Sequence, residues 1–180
     1  KLKISSKRFY SIKRKEIGAI KYSITTLQDD TNIRILPFID LDVRNNDSNW
    51  NEPFIKTMDC GLDKTNPFVI SKVLGTEFEI NTFSNTQFYI DGVLSENIIP
   101  YSSSALSEIG KKEKLVSNCN EFTLNNNQEL IAVKIGGYCN SNNYSKKELK
   151  DKSKIILKNA VNLGFDKLLN EHKNSAIAAV

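Results

Sequence analysis

The side chains able to do chemistry are few and scattered. Asp40, Asp42, Asp47 and Glu52 could in principle hold a metal or form a carboxylate pair, because residues two apart on a strand share a face and like charges raise one another's pKa. Asp40 and Asp42 alternate with Ile39, Leu41 and Val43, however, which makes them the wet face of a strand. The stretch from Asp47 to Glu52 lacks the central glycine and spacing of a calcium loop. The single histidine, His172, stands in Asn170-Glu171-His172-Lys173 without the second histidine of a zinc hydrolase, so it reads as a structural or interface residue. Ser102-Ser103-Ser104 has no nucleophile elbow around it and reads as loop, and Gly136-Gly137 makes no phosphate-binding fingerprint. Cys60, Cys119 and Cys139 share no close spacing, which excludes a Cys-x-x-Cys zinc site and favours a reducing compartment. No catalytic residue, metal or cofactor is expected from these residues.

One segment is unusual in composition. Val43 to Glu52 places the only tryptophan, Trp50, among Asn45, Asn46, Asn49 and Asn51. An aromatic face beside directional amides suits a sugar ring or a neighbouring domain. The same pattern also suits a tryptophan capping the end of a core. Asn45, Asn46, Asn49 and Trp50 are therefore candidates for substrate or domain contact, with both alternatives open.

The elements that must position these residues follow from periodicity. Ile20, Tyr22 and Ile24 alternate with polar neighbours, as do Ile33, Ile35, Ile39, Leu41 and Val43, then Phe78 and Ile80, then Ile131, Val133 and Ile135. This period of two predicts half-buried antiparallel strands. Turn chemistry separates them at Gln28-Asp29-Asp30, Asn66-Pro67, Asp91-Gly92 and Asn125-Asn126-Asn127. The fold expected is mainly β, a large antiparallel β-sandwich over residues 1–140, with an edge position or a bulge where Pro37 interrupts its strand. Residues 145–180 change period. Ser145-Lys146-Lys147-Glu148 reads as a capping box, Leu149, Ile156, Ala160 and Leu163 lie on one helical stripe, and Gly164 can close that helix before a second one from Asp166 to Ala179.

Charge divides the chain in the same place. Residues 1–144 carry 17 Lys+Arg and 17 Asp+Glu, whereas residues 145–180 carry 8 Lys and 4 acids and supply the net charge of +4. Seven basic residues, Lys1, Lys3, Lys7, Arg8, Lys13, Arg14 and Lys15, precede the first acid, Glu16. With no nucleic-acid motif beside them they read as a solvated edge strand whose lysines discourage pairing, and no nucleic-acid partner is expected. The apolar runs fall well short of the ~20 residues of a spanning helix, so no membrane partner is expected either. The chain opens at Lys1 without an initiator methionine, and its only methionine is Met58, which points to a piece of a longer polypeptide.

Particular stretches carry a likeness. Arg8-Phe9-Tyr10-Ser11, the segment Ile17 to Thr25, and Asp42-Val43-Arg44-Asn45-Asn46-Asp47-Ser48-Asn49 resemble the N-terminal domain of glycoside hydrolase family 65, which includes maltose, kojibiose and trehalose phosphorylases and some α-glucoside hydrolases. Gly164 to His172 resembles the family's linker, although Ala176, Ile177 and Ala178 stand where a tryptophan is usual.

The resemblance implies a galactose-mutarotase-like supersandwich and linker helices leading to an (α/α)6 barrel that holds the general acid and the phosphate site. It implies that the chain by itself is not catalytic. Its partners would be that barrel, an α-linked disaccharide and a second copy in a homodimer, with inorganic phosphate as the parent's co-substrate, in the cytoplasm. The competing expectation is a free-standing carbohydrate-binding module. A further expectation is that Leu168, Leu169 and Ala176 form a face left open by the missing partner.

Overall fold

The computed structural model describes residues 1–40, 53–95, 99–101 and 115–178. Asn45, Asn46, Asn49 and Trp50 lie outside them, as do Asp42, Asp47, Glu52 and Ser102-Ser103-Ser104. Eleven strands and one long helix make up the described chain. β1 (Leu2–Tyr10), β2 (Ile17–Thr26), β11 (Glu129–Asn140), β7 (Glu79–Ile90), β6 (Asn66–Val73) and β5 (Ile55–Asp63) form one antiparallel sheet in that order, with the short β8 (Val93–Leu94) paired to β7. A smaller sheet is built on β10 (Leu115–Leu124), which carries β3 (Thr31–Ile35), β4 (Phe38–Asp40) and β9 (Ile99–Tyr101).

The two sheets pack as the expected sandwich. Even-numbered residues of the large sheet, Phe88 in β7 and Leu130 and Ala132 in β11, meet Ile33, Phe122 and Leu124 of the small one. Phe88, Leu124 and Leu130 are fully buried, and Phe88 and Phe122 lie with ring centroids 5.1 Å apart, within the range of favourable aromatic pairs. Pro37 acts on the ladder as its chemistry requires. It has no amide hydrogen to donate, and the strand divides into β3 and β4 around Leu36 and Pro37. The register nevertheless runs on unchanged from Asn120↔Ile35 to Ser117↔Phe38. Ser117 also pairs with Tyr101, so β9 takes the other side of β10 and leaves β3 and β4 on an edge.

Turns fall where left-handed backbone is cheapest. Asp91 and Gly92 both have positive φ, 49° and 82°, the requirement of a tight two-residue hairpin turn. Asn127 and Asp30 serve the same purpose at their own turns. The Asn66-Pro67 turn is displaced. The chain reverses at Lys64, with φ 58°, while Asn66 and Pro67 already belong to β6 and pair with Asp63 and Leu62. Pro67 tolerates this because pairing of β6 with β7 begins only at Phe68.

Alternation gave half-buried strands, and here the structure differs. α1 (Leu149–Ile177) covers the second face of the large sheet. Odd-numbered Ile17, Ala19, Phe83, Val133 and Ile135 pack under Leu149, Leu157, Ala160, Phe165 and Leu168. β11 and β7 are therefore buried on both faces. Helix formation starts later than the capping box placed it. Ser145 donates its hydroxyl to the Glu148 carboxylate at 2.5 Å instead of accepting from a backbone amide. Glu148 is the N-cap without a side-chain cap, and Leu149 is the first helical residue. The helix is broken at Gly164, whose φ of 75° and ψ of 168° lie outside the helical region. Only glycine occupies that combination without strain.

Candidate functional site

The site that the described residues build is the seat of the broken helix on the large sheet. Its first half is held by a buried polar contact. Asn81, fully buried in β7, donates from Nδ2 to Ser153 Oγ at 2.6 Å, and Ser153 in turn donates to the Lys150 carbonyl at 2.8 Å. Lysines of the helix and of the turn before it reach acids alongside: Lys146 to Glu77 at 2.8 Å, Lys150 to Asp59 at 3.1 Å and Lys154 to Asp63 at 3.3 Å. Hydrogen bonds from Lys146 and then Lys72 hold the Glu77 carboxyl down at about 2. These exposed pairs contribute little stability. They also account for part of the lysine-rich tail: three of its eight lysines answer acids on β5 and in the turn before β7.

The second half, after Gly164, sits on the N-terminal strands. Phe9 of β1 meets Phe165 edge-on at 5.4 Å and stacks on His172 at 5.3 Å. Arg14 donates from Nε to Glu171 at 2.8 Å, and Lys13 adds a second contact to the same carboxylate at 3.5 Å. The Arg14 hydrogen bond is the main reason that the Glu171 carboxyl titrates below the ordinary glutamate value. The Ile12 amide donates to His172 Nδ1 at 3.4 Å. His172 is a packing residue of this seat. The basic N-terminus accordingly divides into an exposed edge strand carrying Lys3, Lys7 and Arg8, with Lys1 just before it, and a corner where Lys13 and Arg14 face Glu171 and Lys15 is exposed.

Leu168 does not form the open face that helical spacing suggested. It is fully buried and Leu169 is half-buried against the same core. Spacing shows that a stripe needs cover but not what covers it, and the odd-numbered face of the chain's own sheet does so. Gly136 and Gly137 have a packing role. A Cβ at Gly137 would stand 1.6 Å from the Glu16 carbonyl oxygen and one at Gly136 would stand 2.7 Å from that of Phe83. Only glycine lets β2, β11 and β7 approach so closely there. Asp40 ends β4, half-buried, and among the described residues no cluster of metal-ligating side chains forms. Cys60 and Cys139 are free thiols. No helix among the described residues is long and apolar enough to cross a membrane.

Asn81, Ser153, Arg14 and Phe9 carry this seat, and none was singled out for it by spacing. One signal pointed to the second half of the seat. The segments that carry the family likeness, Arg8-Phe9-Tyr10-Ser11 and Gly164 to His172, are the two that meet here, from opposite ends of the chain.

A two-sheet antiparallel sandwich whose own C-terminal helix is clamped across one face defines the class: a β-sandwich domain closed by a kinked helix. The chain belongs to glycosyl hydrolase family 65, as its N-terminal domain, whose family model matches residues 1–177. It is 23% identical over 171 residues to the maltose phosphorylase of Bacillus subtilis (strain 168), a match that takes in 95% of this chain and 21% of that protein. Its fold is similar to that of a human-microbiome protein assigned as a kojibiose phosphorylase, with a TM-score of 0.74, 15% identity, and coverage of 96% of this chain and 21% of that one. The chain thus spans about a fifth of the length of each of these relatives.

Proposed function

We propose that this domain is a non-catalytic support for an (α/α)6 catalytic barrel acting on α-glucosidic disaccharides, by phosphorolysis with inorganic phosphate or by hydrolysis. The observation that carries the reading is the two-point seat of α1, Asn81–Ser153 on one side of Gly164 and the Phe9, Phe165, His172 cluster with Arg14–Glu171 on the other. A helix fixed at both halves leaves the sheet in one direction, which is what a rigid connection to a second domain requires. Inverting cleavage of a glycoside needs a carboxylic acid of raised pKa in a concave site. Glu77, Glu148 and Glu171 are held below the ordinary glutamate value, the opposite of what such an acid needs.

The amide-rich segment of Asn45, Asn46, Asn49 and Trp50 is the second contact we assign to the barrel, on composition alone. A dimer surface and a cytoplasmic setting belong to the same reading. The test is an assay of the purified chain with maltose, kojibiose and trehalose, with and without inorganic phosphate. Glucose and glucose 1-phosphate are expected to stay at blank level, and release of either overturns the reading.

A further inference from the structure

The small sheet meets the even-numbered face of the large one at Phe88, Leu130 and Ala132. Further along the same face, where Phe38 and Ile39 of β4 border it, lies a cavity of about 650 Å³, inside the range of roughly 300–1,000 Å³ for small-molecule sites. Its floor is flat for a reason that the register shows. Tyr10, Gly18, Gly136 and Ser84 form one row across β1, β2, β11 and β7, and the two glycines leave its middle without side chains. A Cβ at Gly18 would stand 2.9 Å from Tyr10 Cδ2, so the Tyr10 ring lies down on the glycine. Tyr138 stands beside it, with ring centroids 6.3 Å apart. Tyr10, Tyr138 and Phe38 are all exposed. Exposed aromatic rings around one hollow mark a surface that a ligand can cover.

The charge of the cavity is one-sided. Among the described residues its lining holds two cations, Arg8 and Lys134, and no carboxylate. Both stand in the neighbouring row, Arg8 paired with Ile20 and Ile20 with Lys134, so two strand spacings put their Cα atoms roughly 10 Å apart on one face. Side chains of their length can reach one acid group between them. Lys134 is half-buried, and its ammonium donates to a neutral group, the Phe38 carbonyl, at 2.6 Å. Burial pulls its pKa below the ordinary lysine value, as it does for a cation that no carboxylate answers.

We propose that this cavity binds a small aromatic carboxylate, its ring packed against Tyr10, Tyr138 and Phe38 and its acid group held by Arg8 and Lys134. A carboxylate takes charge-assisted hydrogen bonds from both cations, and the guanidinium can give it two in parallel. A polyhydroxyl ligand fits poorly. Ser84 Oγ is buried without a hydrogen-bond partner, below the reach of a ligand, so the cavity offers chiefly ring and C–H surface and would leave most sugar hydroxyls unmatched. Inorganic phosphate has no apolar body with which to cover the rings. The inference is independent of the support role, since a domain can carry a barrel without binding an acid and can bind one without carrying a barrel.

The experiment is a titration of the full 180-residue chain with 3-phenylpropanoate, with its neutral amide and with inorganic phosphate, followed by backbone amide spectra. Saturable shifts at residues 8–10, 18–20, 38–39 and 134–138 are expected with the carboxylate. The amide should bind about tenfold more weakly or worse, for the loss of a charge-assisted hydrogen bond, and phosphate should leave these residues unshifted. Lys134→Met keeps an apolar stem and removes the charge. It is expected to weaken carboxylate binding about tenfold and to leave the amide unchanged, a split that a merely structural Lys134 would not give. If loss of the bond to Phe38 loosens β4, Arg8→Gln on the exposed edge strand makes the same test and decides. Absence of saturable shifts with the carboxylate overturns the proposal. So do equal affinities for acid and amide, undiminished binding by both variants, or displacement of the carboxylate by an equal concentration of phosphate, which would show an anion patch without a ring site.

Discussion

Replacing Phe165 by alanine tests whether the helix seat is one unit or two. The ring is buried, touches Phe9 edge-on and lies under Lys21 at 5.8 Å. Truncation of a buried phenylalanine costs about 3 to 5 kcal/mol, a range that takes in the aromatic pair with Phe9, itself worth roughly 0.5 to 1.5. The lower end, about 3 kcal/mol, fits a ring whose partner Phe9 is only partly buried and can close over the gap. Gly164 decides how that loss is distributed. A helix continuous in its hydrogen bonds would pass the loss to both halves, whereas the break lets residues 165–177 lift from β1 and β2 while Asn81, Leu149 and Leu157 keep the first half seated. Hydrogen exchange on the intact chain measures this directly. At about 1.4 kcal/mol per tenfold, amides of residues 168–177 should exchange roughly a hundredfold faster in Phe165→Ala, while those of residues 153–160 and of β11 keep their rates. A uniform rise across sheet and helix, or a single early unfolding transition, would refute the reasoning and show that Gly164 does not separate the halves.

Gly137→Ala should destabilise the chain by at least about 3 kcal/mol, near the top of single-residue effects, because its Cβ meets the Glu16 carbonyl. Gly61→Ala, whose Cβ would meet only the Phe68 ring at 3.5 Å, should change the midpoint of urea denaturation little, and equal effects would remove the close-approach explanation. Cys60 is exposed and Cys139 buried, with burial, then Glu16, pushing the Cys139 thiol up to about 11. Iodoacetamide at pH 8 should therefore modify Cys60 in the native chain and reach Cys139 only in denaturant, as peptide mass spectrometry will show. The Glu171 carboxyl is held down, chiefly by Arg14, so its contribution to the seat is present above the ordinary glutamate pKa and is lost as pH falls through the depressed value. Exchange protection of residues 168–177 should thus decline on acidification more in the native chain than in Glu171→Gln, and parallel declines would mean that the ion pair does not hold the helix.

Much of the local structure was legible because it is set by neighbours in the chain. Alternation over Ile20 to Ile24 and Ile131 to Ile135 requires strands. Asp91-Gly92 supplies the two left-handed residues of a hairpin, Pro37 must interrupt a ladder, and Gly164 ends a helix by its backbone freedom alone. Where local chemistry offered two solutions, the sequence chose less well. Ser145 and Glu148 can bond to amides or to each other, and Asn66-Pro67 can turn or extend, so both elements begin a few residues from where their signals lie.

What only the tertiary structure decided is which surfaces meet. Apolar residues at period two or at helical spacing state that a face must be covered, but burial is non-directional and any apolar face of fitting shape will serve. That α1 covers the odd-numbered face of β2, β11 and β7, burying Leu168 and making β11 and β7 two-sided, is settled by the strand order β1-β2-β11-β7-β6-β5, which no local signal encodes. The same order brings Asn81 to Ser153 and Phe9 to His172 across most of the chain. It thereby turns polar and aromatic residues unremarkable in their own segments into the seat of the helix, because a hydrogen bond or ring contact between distant segments exists only once the sheet between them has closed.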